Sequence, residues 1–338
     1  MPVLLSIWRT SWLLLVMPLA ALAAPIPWLY WVDVEVEAQT VEAREAASRD
    51  ALVEVLARIS GLAHVPRNAI VRDALDSTER YYSRFVFLED DELRIYFDRS
   101  AVLQLAKAAE LPVWSANRPA AVAWVVVEDA GSREIVHGEH PLAQTLRDRA
   151  RARGLALRLP LMDLEDRIRV DPAAVWGRLS SVIQDASVRY RAEIIVVGRV
   201  QKLADETFAA SFEYWLGDEQ TAVNLEGLTI EVIGGQAIDI LANDLAQRFA
   251  VLGRELEVLT LAISGVDTPT GYGRLLRYLA SLEFVDAVDV VELQGDRVVL
   301  AVATRARMEQ LLQLFENDGR ILEDPEAVFG NELTWRGP

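Results

Sequence analysis

The chain has 338 residues, 52% of them hydrophobic, and carries 34 lysines and arginines against 51 aspartates and glutamates, a formal net charge of −17. A surface of that sign repels phosphate backbones and anionic head groups, which argues against nucleic acid and against charge-driven membrane binding. With no cysteine, thiol chemistry, disulfides and a lipid-anchoring cysteine are excluded, and the fold must rely on its core.

The opening segment, MPVLLSIWRTSWLLLVMPLAALAAPIPW, has one charge, Arg9, then an apolar run from Ser11 to Leu22 and a small-x-small site at Ala21-Leu22-Ala23. It reads as a secretory signal peptide over 1–23, cleaved after Ala23. The run falls short of the ~20 residues of a spanning helix. An uncleaved anchor that borrows Ile26 to Trp31 is the alternative.

Three blocks follow: 24–112, 120–252 and 255–338. The first starts with a strand in which Val32, Val34 and Val36 alternate with acidic residues, the period of a half-buried strand. A helix comes next, with Thr40 as N-cap, an apolar stripe of Ala47, Ala51, Leu52, Val55 and Ile59, and Gly61 as its stop. YYSRFVFLEDDELRIYF is a hairpin around Glu89 to Glu92, and a short helix near Ser100 to Glu110 closes the block. LPVWSANRP, between Pro112 and Pro119, is an extended connection.

In the second block AVAWVVVE is a strand buried on both faces. A helix over Pro141 to Arg153, the short strand LALRLP and a helix over Val175 to Tyr190 lead to EIIVVGRV, the central strand, where Gly198 permits a close approach. Then come TFAASFEYWL, a Gly217-Asp218 turn, a strand near Val223 to Ile230 and a helix from Gln236 to Leu252. The third block reads βαββαβ, the split ferredoxin-like motif, and is expected to fold semi-independently. The fold class is therefore mixed α/β or α+β, with three small mixed-sheet domains.

Candidate chemistry is sparse. His137 and His140 flank Glu139 at metal-ligand spacing, but a third nearby ligand is missing, so they read as loop histidines. Glu89, Asp90, Asp91 and Glu92 lack the pattern of a calcium loop and read as a solvated turn. Asp163 and Asp166 sit in an acidic loop, LMDLEDRIRVDP, neutralised by Arg167 and Arg169. Arg147, Arg149, Arg151 and Arg153 read as a solvated helix face. Arg199 is expected to bridge to Glu193, Asp185 or Glu213, or else to face a ligand. Trp114, Trp215 and Trp335 are candidate exposed anchors, and Arg118 joins Trp114 in the candidate set. There is no nucleophile elbow and no phosphate loop beyond the fragment Gly271-Tyr272-Gly273. No catalytic residue, metal or cofactor is assigned.

DALVEVLARISG, LPVWSANRPAAVAWVVVE, RGLALRLPLMDLED and VWGRLSSVIQDASVRYRAEIIVVGRV, in that order, resemble the proteobacterial domain-of-unknown-function family 2066 from about Trp28 to at least Leu252. The resemblance implies an exported, periplasmic protein and supplies no site residues. The second block also looks like the periplasmic α/β modules of the curli-channel lipoprotein and of the lipoprotein that activates penicillin-binding proteins, a likeness of fold alone. The expected function is a non-catalytic binding or adaptor protein of the cell envelope with a protein partner. The alternative is a hydrolase or small-ligand-binding protein using Asp163, Asp166, His137 or Arg199 between the first two domains.

Overall fold

Thr40 sets the start of the first long helix, its Oγ1 accepting from the Ala43 amide at 3.2 Å, and Gly61 ends it at φ 68. A computed structural model describes residues 26–89, 91–252, 255–323 and 332–337. The segment read as a signal peptide and its cleavage site lie outside them, as does Asp90. The fold is α+β, with several mixed sheets.

The first unit comprises β1 (Trp31–Glu35), α1 (Val41–Ser60), α2 (Ala69–Asp76), β2 (Tyr82–Phe87), β3 (Glu92–Phe97), α3 (Arg99–Ala108) and β4 (Val113–Trp114). Its antiparallel sheet has the order β1-β3-β2. The α1 stripe, with Leu52, Val55 and Ile59 fully buried, packs with Val32, Leu93 and Ile95 of that sheet in one core.

The second unit holds β5 (Ala121–Asp129), β6 (Ser132–Ile135), α4 (Pro141–Ala152), β7 (Leu157–Arg158), α5 (Leu164–Arg169), α6 (Pro172–Trp176), α7 (Ser180–Ser187), β8 (Ile194–Lys202), β9 (Phe208–Leu216), β10 (Glu219–Gly227), α8 (Ile230–Phe249) and β11 (Ala250–Val251). The sheet runs β10-β9-β8-β5-β6, with β7 also against β5 and β5 parallel to β8. Alternation divides its side chains between two cores. Ala123, Val125, Val196 and Phe212 meet α4 and α8, whereas Val122, Trp124, Val197 and Trp215 meet α6 and α7. Gly198 stands where a Cβ would come within 2.5 Å of the Phe212 ring and 3.0 Å of Val125, so its neighbours close over it.

Local signals misplace some boundaries here. The helix expected over Val175 to Tyr190 is broken after Trp176 by Gly177 and by Arg178 at φ 55. The acidic loop is in part a helix, α5, whose N-cap is Asp163. The last helix begins at Ile230 instead of Gln236. Its Gly234 lets α4 come close, since a Cβ there would lie 2.7 Å from Leu142 Cδ1. In the extended connection, β4 pairs with β11 through Val113–Val251 and Trp114–Ala250.

The third unit runs β12 (Glu257–Ser264), α9 (Pro269–Ser281), β13 (Val285–Gln294), β14 (Arg297–Thr304), α10 (Met308–Asp318), β15 (Ile321–Glu323) and β16 (Glu332–Trp335). Its sheet order, β13-β14-β12-β16-β15, adds a strand to the βαββαβ pattern. β16 lies between β12 and β15, parallel to the first and antiparallel to the second. Leu261, Leu279, Leu300 and Phe315 are buried in this unit's core.

The three units meet at the connection Trp114–Arg118. Arg118 is 1% exposed and lies 4.0 Å from the Trp114 ring centroid. It donates to the carbonyls of Ser115 (2.9 Å), Gly154 (2.8 Å), Arg58 (2.9 Å) and Trp114 (3.1 Å), joining α1 to the end of α4. Burial pushes its guanidinium down to about 9, which still leaves it charged at neutral pH. From the third unit, the Glu283 carboxylate accepts from Ser115 Oγ (3.1 Å), the Ala116 amide (3.1 Å) and Arg99 (2.7 Å). Asp318 accepts from Asn117 at 3.1 Å and from the Tyr278 hydroxyl at 2.7 Å.

Candidate partner-binding surface

The structure gives the candidate residues separate tasks. Trp114, Trp215 and Trp335 are 2%, 5% and 6% exposed, so the expectation of exposed anchors is corrected. Trp114 is the platform for Arg118. Trp215 donates its indole N–H to Glu213 at 2.6 Å in the core beneath α6 and α7, and Trp335 packs on Tyr278 with centroids 5.8 Å apart. Sequence hydrophobicity marks these side chains as large and apolar but does not tell core from surface.

Of the four arginines read as a solvated face, Arg147 keeps exposed local partners such as the Gly138 carbonyl at 2.7 Å, but the other three reach distant ones. Arg153 is 2% exposed and reaches Asp239 (2.5 Å), Asn243 (2.7 Å) and the Gly61 carbonyl (3.0 Å). Arg149 forks onto the same Asp239, and Arg151 lies 4.2 Å from the Trp31 ring centroid. Their partners lie far off in sequence, on α8 and in the first unit.

Asp163 and Asp166 are brought together in a network that Arg189 neutralises, while Arg169 pairs with Glu165 of the same acidic stretch at 3.1 Å. Asp166, fully buried, accepts from the Tyr190 hydroxyl (2.6 Å), the Met162 amide (2.9 Å) and Arg189 (2.9 Å). Asp163 receives both terminal nitrogens of Arg189 at 2.8 Å, and that guanidinium holds its carboxyl well below the usual carboxylate range. Burial and the Asp166 carboxylate push the Tyr190 hydroxyl up to about 12, so it remains a donor. The Tyr190 oxygen also accepts from the Leu161 amide at 2.9 Å.

This polar lock presents apolar side chains to water. Leu161, Leu164, Ile168 and Val188 are 67%, 74%, 75% and 73% exposed. Leu164 and Ile168 are one helical turn apart on α5. Leu161 and Val188 flank them in the two segments that Tyr190 and Arg189 bond together. Arg167 and Arg191 are exposed beside this surface and have no ion-pair partner among the described residues. The i, i+4 spacing of Leu164 and Ile168 was legible, but it reads equally well as a core stripe.

Arg199 makes none of the expected bridges. Glu213 is held by Arg178 at 3.1 Å and Glu193 by the Ala120 amide at 2.6 Å. Arg199 donates instead to the Trp176 carbonyl at 3.3 Å and faces a groove on the sheet.

His137 bonds its own strand end at the Ile135 carbonyl, 2.8 Å away. The cleft between the first two units is lined by Trp28, Arg147, Arg151 and Arg158 and contains none of His137, Asp163, Asp166 and Arg199. Among the described residues no cluster of three or more histidines and carboxylates is arranged to hold a metal. The described part of the acidic hairpin turn includes Asp91 at φ 56, whose carbonyl accepts from the Val36 amide at 2.8 Å.

His140 is more than a loop residue, because it caps α4, its Nδ1 accepting from the Leu142 amide at 3.1 Å. Burial holds the imidazole below its ordinary pKa, in the neutral state that can accept. The unfolded chain therefore takes the proton first, and the cap's contribution, present above about pH 6.5, is lost as pH falls through that value toward the folded pKa. His140→Asn keeps an acceptor that does not titrate. Urea unfolding from about pH 7.5 to about pH 5 should show the wild type losing stability relative to the variant. A constant difference would contradict the cap.

A family model described as a domain of unknown function (DUF8605) matches residues 23–115. The match ends inside the connection where the units meet and leaves the apolar surface and the groove outside it. No curated protein matches the chain. What the match shows is that the first part of the chain is similar to an uncharacterised domain.

Proposed function

We propose that the chain is an exported binding protein of the cell envelope, a member of the periplasmic family 2066 it resembles, and that the surface of Leu161, Leu164, Ile168 and Val188 docks a partner protein. The observation that carries this reading is the surface itself: four large aliphatic side chains exposed on the two segments that a fully buried carboxylate ties together. Contiguous exposed apolar area of this kind marks interaction sites. Arg167 and Arg191 beside it select a segment that is apolar on one face and acidic at its edge. A second copy would set arginine against arginine, and the net charge of −17 opposes an anionic lipid surface. Among the described residues no helix is long and apolar enough to cross a membrane.

A photo-crosslinking residue in place of Ile168, in the native cell, tests the proposal. The expected adduct is with another envelope protein, at an acidic apolar segment, and a probe at the exposed Leu293 of the third unit should not form it. An adduct of twice the chain's own mass, a lipid adduct, or the same adduct from both positions would overturn the reading.

A further inference from the structure

The short helix α6, which packs on β5 and β8 on one side of the central sheet, ends at Trp176. A groove of about 670 Å³ lies there, lined among others by Trp176, Arg199, Gln201, Ser211, Asn224 and Glu226. The register places these side chains in two rows. Arg199, Ser211 and Asn224 stand opposite one another across β8, β9 and β10, and Gln201, Ala209 and Glu226 form the next row. Rows two residues apart are separated by ~7 Å, and the outer strands by ~10 Å. The middle column is small, Ala209 and Ser211, so the floor is lowest along β9 while longer polar side chains rise on either side.

Two arginines lie over Trp176, a third, Arg178, follows it by two residues, and two of the three are neutralised. Arg133 lies 4.1 Å from the ring centroid and pairs with Glu128 at 2.7 Å. Arg178 pairs with Glu213 at 3.1 Å and donates to Ser211 at 2.5 Å. Arg199, 5.9 Å from the same centroid, has no carboxylate within ion-pair distance among the described residues. On the opposite side of the groove, Glu226 is exposed and also lacks an ion pair among the described residues. The site thus offers one unneutralised guanidinium and one unneutralised carboxylate, separated by a polar floor of about the length of two or three extended residues.

We propose that this groove binds a short peptide with free termini, its carboxylate on Arg199 and its ammonium group toward Glu226. Gln201 and Asn224 supply amide donors and acceptors for the peptide backbone, and the small β9 residues leave room for small side chains. Bidentate recognition of a carboxylate is what a guanidinium does best, and a lysine would not reproduce it. This site is separate from the apolar surface and does not rest on it.

Titration calorimetry of the full chain with trialanine, its C-terminal amide and its N-acetyl form tests the assignment. Trialanine should bind, and either amidation or Arg199→Gln should weaken it by about tenfold or more, the effect of losing a charge-assisted hydrogen-bonded pair. Acetylation should weaken binding in the wild type and make no difference in Glu226→Gln. Asn224→Leu, at an exposed position, should block the groove without disturbing the core. Replacing Leu164 and Ile168 should leave the titration unchanged, which separates this site from the partner surface. No binding of trialanine at millimolar concentration, equal binding of its amide, or undiminished binding by the Asn224→Leu protein would overturn the proposal.

Discussion

Arg118→Met is expected to lower the unfolding free energy by about 3–5 kcal/mol, although methionine nearly matches the volume of the aliphatic stem. The loss comes from the carbonyls of Ser115, Gly154, Arg58 and Trp114, which the guanidinium satisfies together in a site closed to water. Each buried acceptor left without a donor costs ~1–3 kcal/mol, partly relieved by local movement. Arg118→Lys should recover little, since one ammonium group cannot span the arc of carbonyls that the planar fork reaches. Gly154→Ala should reproduce part of the loss without touching the arginine, because a Cβ there would meet Arg118 Nη1 at 2.3 Å and the residue sits at φ 71. Guanidinium unfolding of the three variants checks this ordering, and a change below about 1 kcal/mol for Arg118→Met would mean that the junction is not held by these bonds.

Asp166→Ala is expected to cost about 3 kcal/mol and to loosen the segment that carries the apolar surface. The substitution strands Arg189, the Tyr190 hydroxyl and the Met162 amide, all of which meet at this one buried carboxylate. Amide exchange should therefore speed up over Leu161–Ile168 and Val188–Arg191 while the β5 and β8 amides keep their protection. Asp163→Ala, an exposed cap, should have a smaller effect confined to the first turn of α5. Uniform loss of protection across the second unit would show that Asp166 supports the whole sheet rather than the surface.

Much of the architecture was legible because it is local. The Thr40 to Gly61 helix, the doubly buried Ala121–Asp129 strand and the βαββαβ order all rest on periodicity and caps within about twenty residues. What escaped depends on partners far away. Arg153 reads as a surface residue until α8 brings Asp239 to it, and Trp114 and Arg118 read as a binding pair until Glu283 and Asp318 close over the same connection. β16 and β4 are short and take their meaning from the strands beside them. The groove was half legible: Arg199 stood out, but its freedom depends on Arg178 claiming Glu213.

The central claim is that one surface of the second unit recognises an acidic, apolar segment of another protein. Its most direct test takes the segment crosslinked at position 168 as a synthetic peptide and measures its affinity by fluorescence anisotropy. Arg167→Glu combined with Arg191→Glu should weaken binding by about tenfold or more, and a peptide with its acidic residues changed to lysine should restore it to that variant alone. If the doubly reversed protein binds the original peptide as well as the wild type does, the arginines do not select the partner and the account is contradicted.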